Sequence, residues 1–212
     1  MGNIMEKIDV QRYIAFPSYI YCCERDDLVD IVKNVSIEYL PTEHKNYDFN
    51  LYPVNQSSNI FDDIRIIEFS SYILGLSNNI LRDQGFDMDN YETYFSAMWL
   101  QDHHKNSLME QHTHSFGSQL VGFFFLDTPD NSSDVIFYDP RPGKIQSGIY
   151  EKNTEKFSDA KNHIVFGSKR GRILMSNSWL PHSFTRHNSN NPLKFIHYNI
   201  NCREKTNQHE VE

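Results

Sequence analysis

Hydrophobic and polar positions change their period partway along this chain. From residue 91 onward, short apolar runs alternate with clusters of Gly, Pro, Asn and Asp. The runs are Tyr94–Gln101, Glu110–His114, Leu120–Leu126, Val135–Tyr138, His163–Phe166, Arg172–Ser176, His182–Arg186 and Lys194–Asn201. Eight short strands punctuated in this way predict a sandwich or jelly-roll barrel. Residues 8–23 are β-branched and aromatic and are broken by Pro17, so they read as extended chain. In residues 26–35 the spacing of Leu28, Ile31, Val32 and Val35 is helical, with Asp26 and Asp27 in the first turn. A loop of about two dozen residues follows, long enough to expect a role near a site. Ser57-Ser58-Asn59 offers an N-cap to a longer helix over 60–83, with Phe61, Ile64, Ile67, Leu74 and Leu81 as its broken apolar face and Gly85 as its stop. Gly75 and Ser77-Asn78-Asn79 weaken its middle and leave a kink or two helices open.

These periods predict a mainly β fold, a sandwich or jelly roll, with flanking helices that form an N-terminal helical cover. No repeat, low-complexity stretch or linker divides the chain. The expectation is a single domain, with a cover over about 1–90, a jelly-roll core over about 91–202 and a polar tail over 203–212.

Composition narrows the function. With 212 residues and 39% hydrophobic content the chain can bury a substantial core. A net charge of −8 disfavours nucleic acid, whose binding needs a basic face to displace counterions. Cys22, Cys23 and Cys202 form neither a disulfide framework nor a CxxC, which points to a reducing compartment and a cytoplasmic location. The start Met1-Gly2-Asn3-Ile4-Met5-Glu6 lacks the features of a signal peptide, and no apolar run approaches the length of a membrane span. A homodimer is compatible with the sequence, and nothing in it specifies one.

The candidate chemistry lies in Gln111-His112-Thr113-His114-Ser115-Phe116-Gly117, just before the apolar run Leu120–Leu126. On a strand, histidines at i and i+2 share a face. Two imidazoles on one face are two ligands of a metal site that needs a third. His182, which opens a late strand behind Trp179-Leu180-Pro181, supplies it if the barrel brings early and late strands together. Three nitrogens on one side of a metal leave open positions for other ligands, whereas a structural zinc site would want a fourth protein ligand.

Several segments together resemble the 2-oxoglutarate/Fe(II) oxygenases found in viruses of marine cyanobacteria and in some bacteria, within the wider prolyl-hydroxylase-like group. They are Met98-Trp99, Gln111 through His114, Phe137-Tyr138-Asp139-Pro140-Arg141 and Ser178-Trp179-Leu180-Pro181-His182. The resemblance spans roughly residues 95–201, with a weaker match at Phe16-Pro17. It implies a double-stranded β-helix, that is, a cupin-like jelly roll, with the metal at one open end, Fe(II) as cofactor and 2-oxoglutarate as co-substrate. Dioxygen would be consumed, with release of succinate and CO₂ and hydroxylation of a small-molecule or peptide substrate. If the source is viral, the host cytoplasm is implied. His112 matches the proximal histidine and His182 the distal one.

Two departures from that pattern stand out. His114 occupies the place of the usual carboxylate, which leaves a bound metal with its full +2 charge. Sliding the motif by two residues would put Phe116 there instead, and Asp102 is a weaker substitute, read first as a turn residue. The second departure concerns the cation that anchors the far carboxylate of 2-oxoglutarate. Lys194 is the nearest match, with Arg186 and Arg172 as fallbacks. Strand parity puts Phe195, His197, Asn199 and Asn201 on one face and Lys194, Ile196 and Tyr198 on the other, so Lys194 points away if the polar face lines the pocket. His197 and Asn199 are candidates for contacts to a ligand or co-substrate. His103, His104, His163, His187 and His209 read as surface or turn residues, Trp179 as a rim residue, and Arg141 as a turn residue able to meet substrate. Loops 40–58 and 141–162 are expected to shape specificity. Two rival readings stay open: a cupin-like His₃ metalloprotein such as a dioxygenase or isomerase without 2-oxoglutarate, with Gln119 at a fourth-ligand position, and a non-catalytic binding protein on the same fold.

Overall fold

The computed structural model describes residues 11–40, 52–114, 117–146 and 148–206. The N-terminal Met-Gly, most of loop 40–58, Phe116, His209 and the end of the polar tail lie outside them. In chain order the elements are β1 (Ile20–Glu24), α1 (Val29–Ile37), β2 (Val54–Gln56), α2 (Ile67–Asp83), β3 (Tyr91–His103), β4 (Met109–His112), β5 (Leu120–Asp127), β6 (Val135–Tyr138), α3 (Pro142–Ile145), β7 (His163–Phe166), β8 (Arg172–Asn177), β9 (His182–Phe184) and β10 (Leu193–Glu204).

The strands form two antiparallel sheets facing one another. The major sheet runs β1-β8-β5-β10-β3-β2 and the minor one β4-β9-β6-β7. This is the expected jelly roll, and all eight expected core strands are present. The central strand β5 shows how it is held together, because alternate side chains point to opposite faces. Phe123 and Phe125 enter the space between the sheets with Leu174, Phe184, Leu193 and Phe195. Phe124 and Leu126 point the other way, under the helices, with Leu100, Ile173, Ile196 and Tyr198. Burying each such side chain contributes roughly 1.5–3 kcal/mol, which is why an unbroken apolar run sits at the middle of the sheet.

The cover differs in detail from the sequence reading. Residues 67–83 form one unbroken helix. No described residue lies within 4 Å of a Cβ placed on Gly75. Its cost of about 1 kcal/mol relative to Ala is outweighed by the buried face of Phe69, Ile73, Ile80 and Leu81. That face is rotated from the expected one: Ile64 is 74% exposed and Ile67 is 54% exposed. The rotation follows from the start of the helix, where a 3-10 turn over Ile64–Ile66 is capped by Asp63, whose side chain accepts the Arg65 N–H.

Ser57 and Asn59, expected to cap, instead bind the free edge of β3. Ser57 Oγ accepts the Leu100 N–H at 2.9 Å, and Asn59 Oδ1 accepts the Met98 N–H at 3.0 Å. Together with Ser57 N–H to Leu100 O and Ile60 N–H to Met98 O, they extend the pairing of β2 as an irregular strand. β2 itself had no legible signal in the sequence. No helix among the described residues is long and apolar enough to cross a membrane.

Candidate metal centre

β4 and β9 are neighbours in the minor sheet, and their register sets His112 directly opposite His182. The two rings lie 4.5 Å apart between centroids. Each ring is oriented by the backbone two residues before it. His112 Nδ1–H donates to Glu110 O at 2.7 Å, and His182 Nδ1–H donates to Leu180 O at 3.0 Å. A carbonyl can only accept, so Nδ1 carries a proton in both rings and Nε2 is the nitrogen left to ligate. This is the arrangement in which a backbone carbonyl orients a metal-ligating histidine.

His114 reaches the same point by a different route. β4 ends at His112, so strand parity does not place His114. Its N–H donates to Ser178 O at 2.8 Å, and Ser178 is in turn held by Gln119 O and Ser118 O. The turn that presents His182 therefore also fixes the loop that presents His114. The His114 ring lies nearly parallel to that of His182, with centroids 5.2 Å apart. One nitrogen from each of the three histidines lies within 4.8 Å of the others.

The chemistry of this set fits a divalent transition metal. His114 Nε2 and His182 Nε2 are buried and have no partner among the described residues. Leaving a buried polar atom unpaired costs about 1–3 kcal/mol, and two on one focus point to a missing ligand. Burial, with the neighbouring His112 adding to it, holds His114 down to about 4. Burial likewise holds His182 down to about 3, against the raising effect of Leu180 O. Both are neutral at physiological pH, as metal ligation requires. Imidazole donors with open positions suit Fe, Zn, Cu or Ni.

His197 stands beside the triad, its ring 4.9 Å from that of His114 and 4.4 Å from Trp99. It is 1% exposed, and both its nitrogens lack partners among the described residues. Burial, then the nearby His114, pushes it well below its ordinary value. Trp99 Nε1 and Asn199 Oδ1 are also buried there without a partner among the described residues. These three side chains share the inner face of β3 and β10, where the register sets His197 opposite Trp99.

A cavity of about 730 Å³ opens beside His112 and His114. It is bounded by Trp99 and Gln101 of β3, Met109–His112 of β4, the β3–β4 turn, Tyr52 and Pro53, His197 and Arg186. Lys194 is absent from its wall. That lysine lies on the helix side of β10, as the parity argument requires, and its ammonium is bound to Asp102. Asp102 also accepts from His104 at 3.1 Å, which removes it as a substitute metal ligand. Arg172 binds Gly167 O and Glu24 at the far edge of the major sheet.

Several residues stand elsewhere than the sequence reading put them. His103 and His187 are fully buried rather than superficial. β3 runs two residues further than expected and pairs His103 with Leu193, which brings its ring between Phe184 and Phe195. Trp179, read as a rim residue, is 45% exposed, and Leu180 beside it enters the core. Arg141 is held by Asp139 and lines a second cavity of about 400 Å³, which reaches the back of the centre through Phe137 and Leu180. Gln101 and Ser107, which the sequence did not single out, line the main cavity; the parity of β3 beyond Trp99 was the available signal for Gln101.

Comparison with known proteins places this geometry in context. Residues 97–196, from β3 to β10, match the model of the family described as "Putative 2OG-Fe(II) oxygenase". No curated protein matches the chain. Among solved structures, a 2OG-Fe(II) oxygenase family oxidoreductase from Burkholderia pseudomallei superposes with a TM-score of 0.52 at 12% identity, over 86% of this chain and 84% of that one. A prolyl-4-hydroxylase from Pseudomonas putida gives 0.55 at 8% identity, over 85% and 91%. HygX from Streptomyces hygroscopicus, solved with nickel and 2-oxoglutarate bound, gives 0.55 at 8% identity, over 87% and 83%. At such identities the likeness is one of fold.

Proposed function

We propose that this chain, whose residues 97–196 match the 2OG-Fe(II) oxygenase family, hydroxylates a C–H bond of a small-molecule or peptide substrate. When bound, Fe(II) and 2-oxoglutarate supply the oxidising chemistry, consuming dioxygen and releasing succinate and CO₂ as an oxygen atom enters the substrate. The observation that carries this reading is the convergence of three imidazoles, two of them with carbonyl-oriented Nδ1–H groups that leave Nε2 to ligate.

In this reading His112, His114 and His182 hold the metal on one face and leave the other open toward the cavity. His114 in place of a carboxylate keeps the metal's +2 charge, which strengthens its attraction for a dianionic co-substrate. His197, Trp99 and Asn199 offer buried polar groups beside the open face, where His197 and Asn199 can orient a bound oxygen ligand. The apolar wall of Phe123 and Phe137 around His182 excludes bulk water. The lysine singled out from sequence, Lys194, supports the fold through Asp102 and has no part in this account.

The placement is cytoplasmic, in a host cell if the source is viral; free Cys22, Cys23 and Cys202 support it. The partners are substrate, co-substrate and dioxygen, with no nucleic acid or membrane, and a homodimer as the alternative to a monomer. The net charge of −8 supports the exclusion of nucleic acid.

A second reading, a His₃ metalloprotein acting without 2-oxoglutarate, is favoured by one observation: no carboxylate joins the metal-binding group among the described residues. A succinate assay separates the two. Fe(II)-stimulated conversion of 2-oxoglutarate to succinate, absent in His182→Ala, supports the oxygenase. Tight metal retention without succinate over a range of substrates would favour the rival.

A further inference from the structure

We propose that the substrate is an extended polypeptide segment that adds as a strand to the outer edge of β4, with a basic residue close to its target residue; the inference rests on the oxygenase reading above. It starts from how the strands contribute to the main cavity. β3 supplies Trp99 and Gln101 and omits Leu100 between them, and β10 supplies His197 without its neighbours. Each is a strand showing one face, because successive side chains alternate. The stretch leading into β4 behaves differently: every residue from Asn106 to His112 stands on the wall. A strand that lines a space with consecutive residues turns its edge, and so its backbone, toward that space.

The sheet order explains this exposure. β4 ends the minor sheet and, among the described residues, pairs with β9 alone. That pairing is itself incomplete. Met109 and His112 have register partners on β9, whereas Glu110 and Gln111 between them have none. Both of these residues are exposed. Free edges are usually blunted by Lys, Pro or a bulge, so that other chains do not pair with them. Here the irregularity between Met109 and His112 is present, but Met109-Glu110-Gln111-His112 contains neither Lys nor Pro. An open edge beside a candidate metal centre is a template for a further strand, held by main-chain hydrogen bonds.

Position and charge define what such a strand delivers. At a rise of about 3.3 Å per residue, the four residues of β4 offer an edge of roughly 13 Å, matched by four residues of extended peptide. The edge ends at His112, so a residue set opposite it faces the metal while its two neighbours point away. Glu110 is the one acid on the cavity wall and makes no ion pair among the described residues. Opposite charges facing one another across strands are stabilising and like charges are not, so a Lys or Arg within two residues of the target suits Glu110. The net charge of −8 adds long-range attraction for a basic segment. Arg186, the cation on the wall, lies beyond the other end of this edge, past Phe184, the register partner of Met109.

The test immobilises the full chain, loaded with Ni²⁺ and 2-oxoglutarate, and passes over it a mixture of random nonapeptides without His or Cys. Mass spectrometry of the retained peptides should show Lys and Arg enriched roughly 2–5-fold, the scale of a cross-strand charge pair. Glu110→Lys should turn that preference toward Asp and Glu. The tightest peptide, resynthesised, should slow amide hydrogen exchange over residues 106–112. Methylating its backbone nitrogens one at a time should weaken binding roughly 2–10-fold at every second residue and leave the residues between unaffected, because alternate N–H groups face a partner strand. Retention of no peptide, methylation effects without that alternation, or a basic preference that survives in Glu110→Lys overturns the inference. If the Fe(II)-loaded chain then still chelates 2-oxoglutarate, the oxygenase reading stands with a small molecule as substrate. A chain that chelates no 2-oxoglutarate overturns both.

Discussion

His112 and His182 are register partners across β4 and β9, so two of the three imidazoles are positioned by the hydrogen-bond ladder of the minor sheet. His114 is positioned by a loop tied to the Ser178 carbonyl. A ligand placed by a ladder is held more rigidly than one placed by a loop.

Metal affinity should reflect this difference. His112→Ala and His182→Ala are each expected to weaken binding of Ni²⁺ or Co²⁺ by at least about 100-fold, beyond the 10–100-fold typical of losing an outer-shell partner. His114→Ala should weaken it less. Calorimetric titration decides, and equal losses at all three positions would sink the ranking.

Restoring a carboxylate should alter the co-substrate more than the metal. His114→Asp lowers the charge of the loaded centre from +2 to +1. Metal binding is expected to persist, while affinity for the 2-oxoglutarate dianion falls. Anaerobic titration of the Fe(II) forms of both proteins measures it, and a gain in affinity would contradict the charge argument.

Gly122 is a packing requirement. A Cβ at this position would meet the buried Tyr198 ring, its neighbour on β10. Gly122→Ala should destabilise the protein by about 1–3 kcal/mol, read from urea unfolding. Combining it with Tyr198→Leu should cost less than the sum of the two single changes. Simple additivity would mean the ring is not the obstacle.

Acid should weaken the fold in a defined window. Burial, with His187 adding to it, holds His103 down to about 3, against an ordinary value of 6.5. Below pH 6.5 the unfolded chain takes up a proton that the folded one refuses until about pH 3. This contribution to stability is therefore complete above pH 6.5 and is lost as pH falls toward 3, by up to about 1.4 kcal/mol per pH unit. His103→Phe, set among Phe184 and Phe195, should flatten the dependence between pH 7 and 5. An unchanged slope would show that His103 is not buried neutral.

The sequence carried the jelly roll because alternation and turn residues are local signals: β6 and β7 match the expected residues, and the other core strands shift only at their ends. It carried His112 and His182 because a motif and a Trp-Leu-Pro corner mark them. Hydrogen-bond partners were not legible, since pairing is a property of the folded chain. Ser57 and Asn59 look like caps until the free edge of β3 is known. His103 looks like a turn residue until the length of β3 is known. Arg186 reads as a surface cation and is exposed, yet it lines the main cavity, a placement that only the folded chain reveals.

The aromatic plug of Phe123, Phe184 and Phe195 has a kinetic consequence. A barrel stoppered at one end makes its reaction chamber a cul-de-sac. What lodges deepest has to arrive first and depart last. Substrate would then queue behind the keto acid, succinate would leave only after the hydroxylated product, and added succinate would compete with 2-oxoglutarate rather than with substrate.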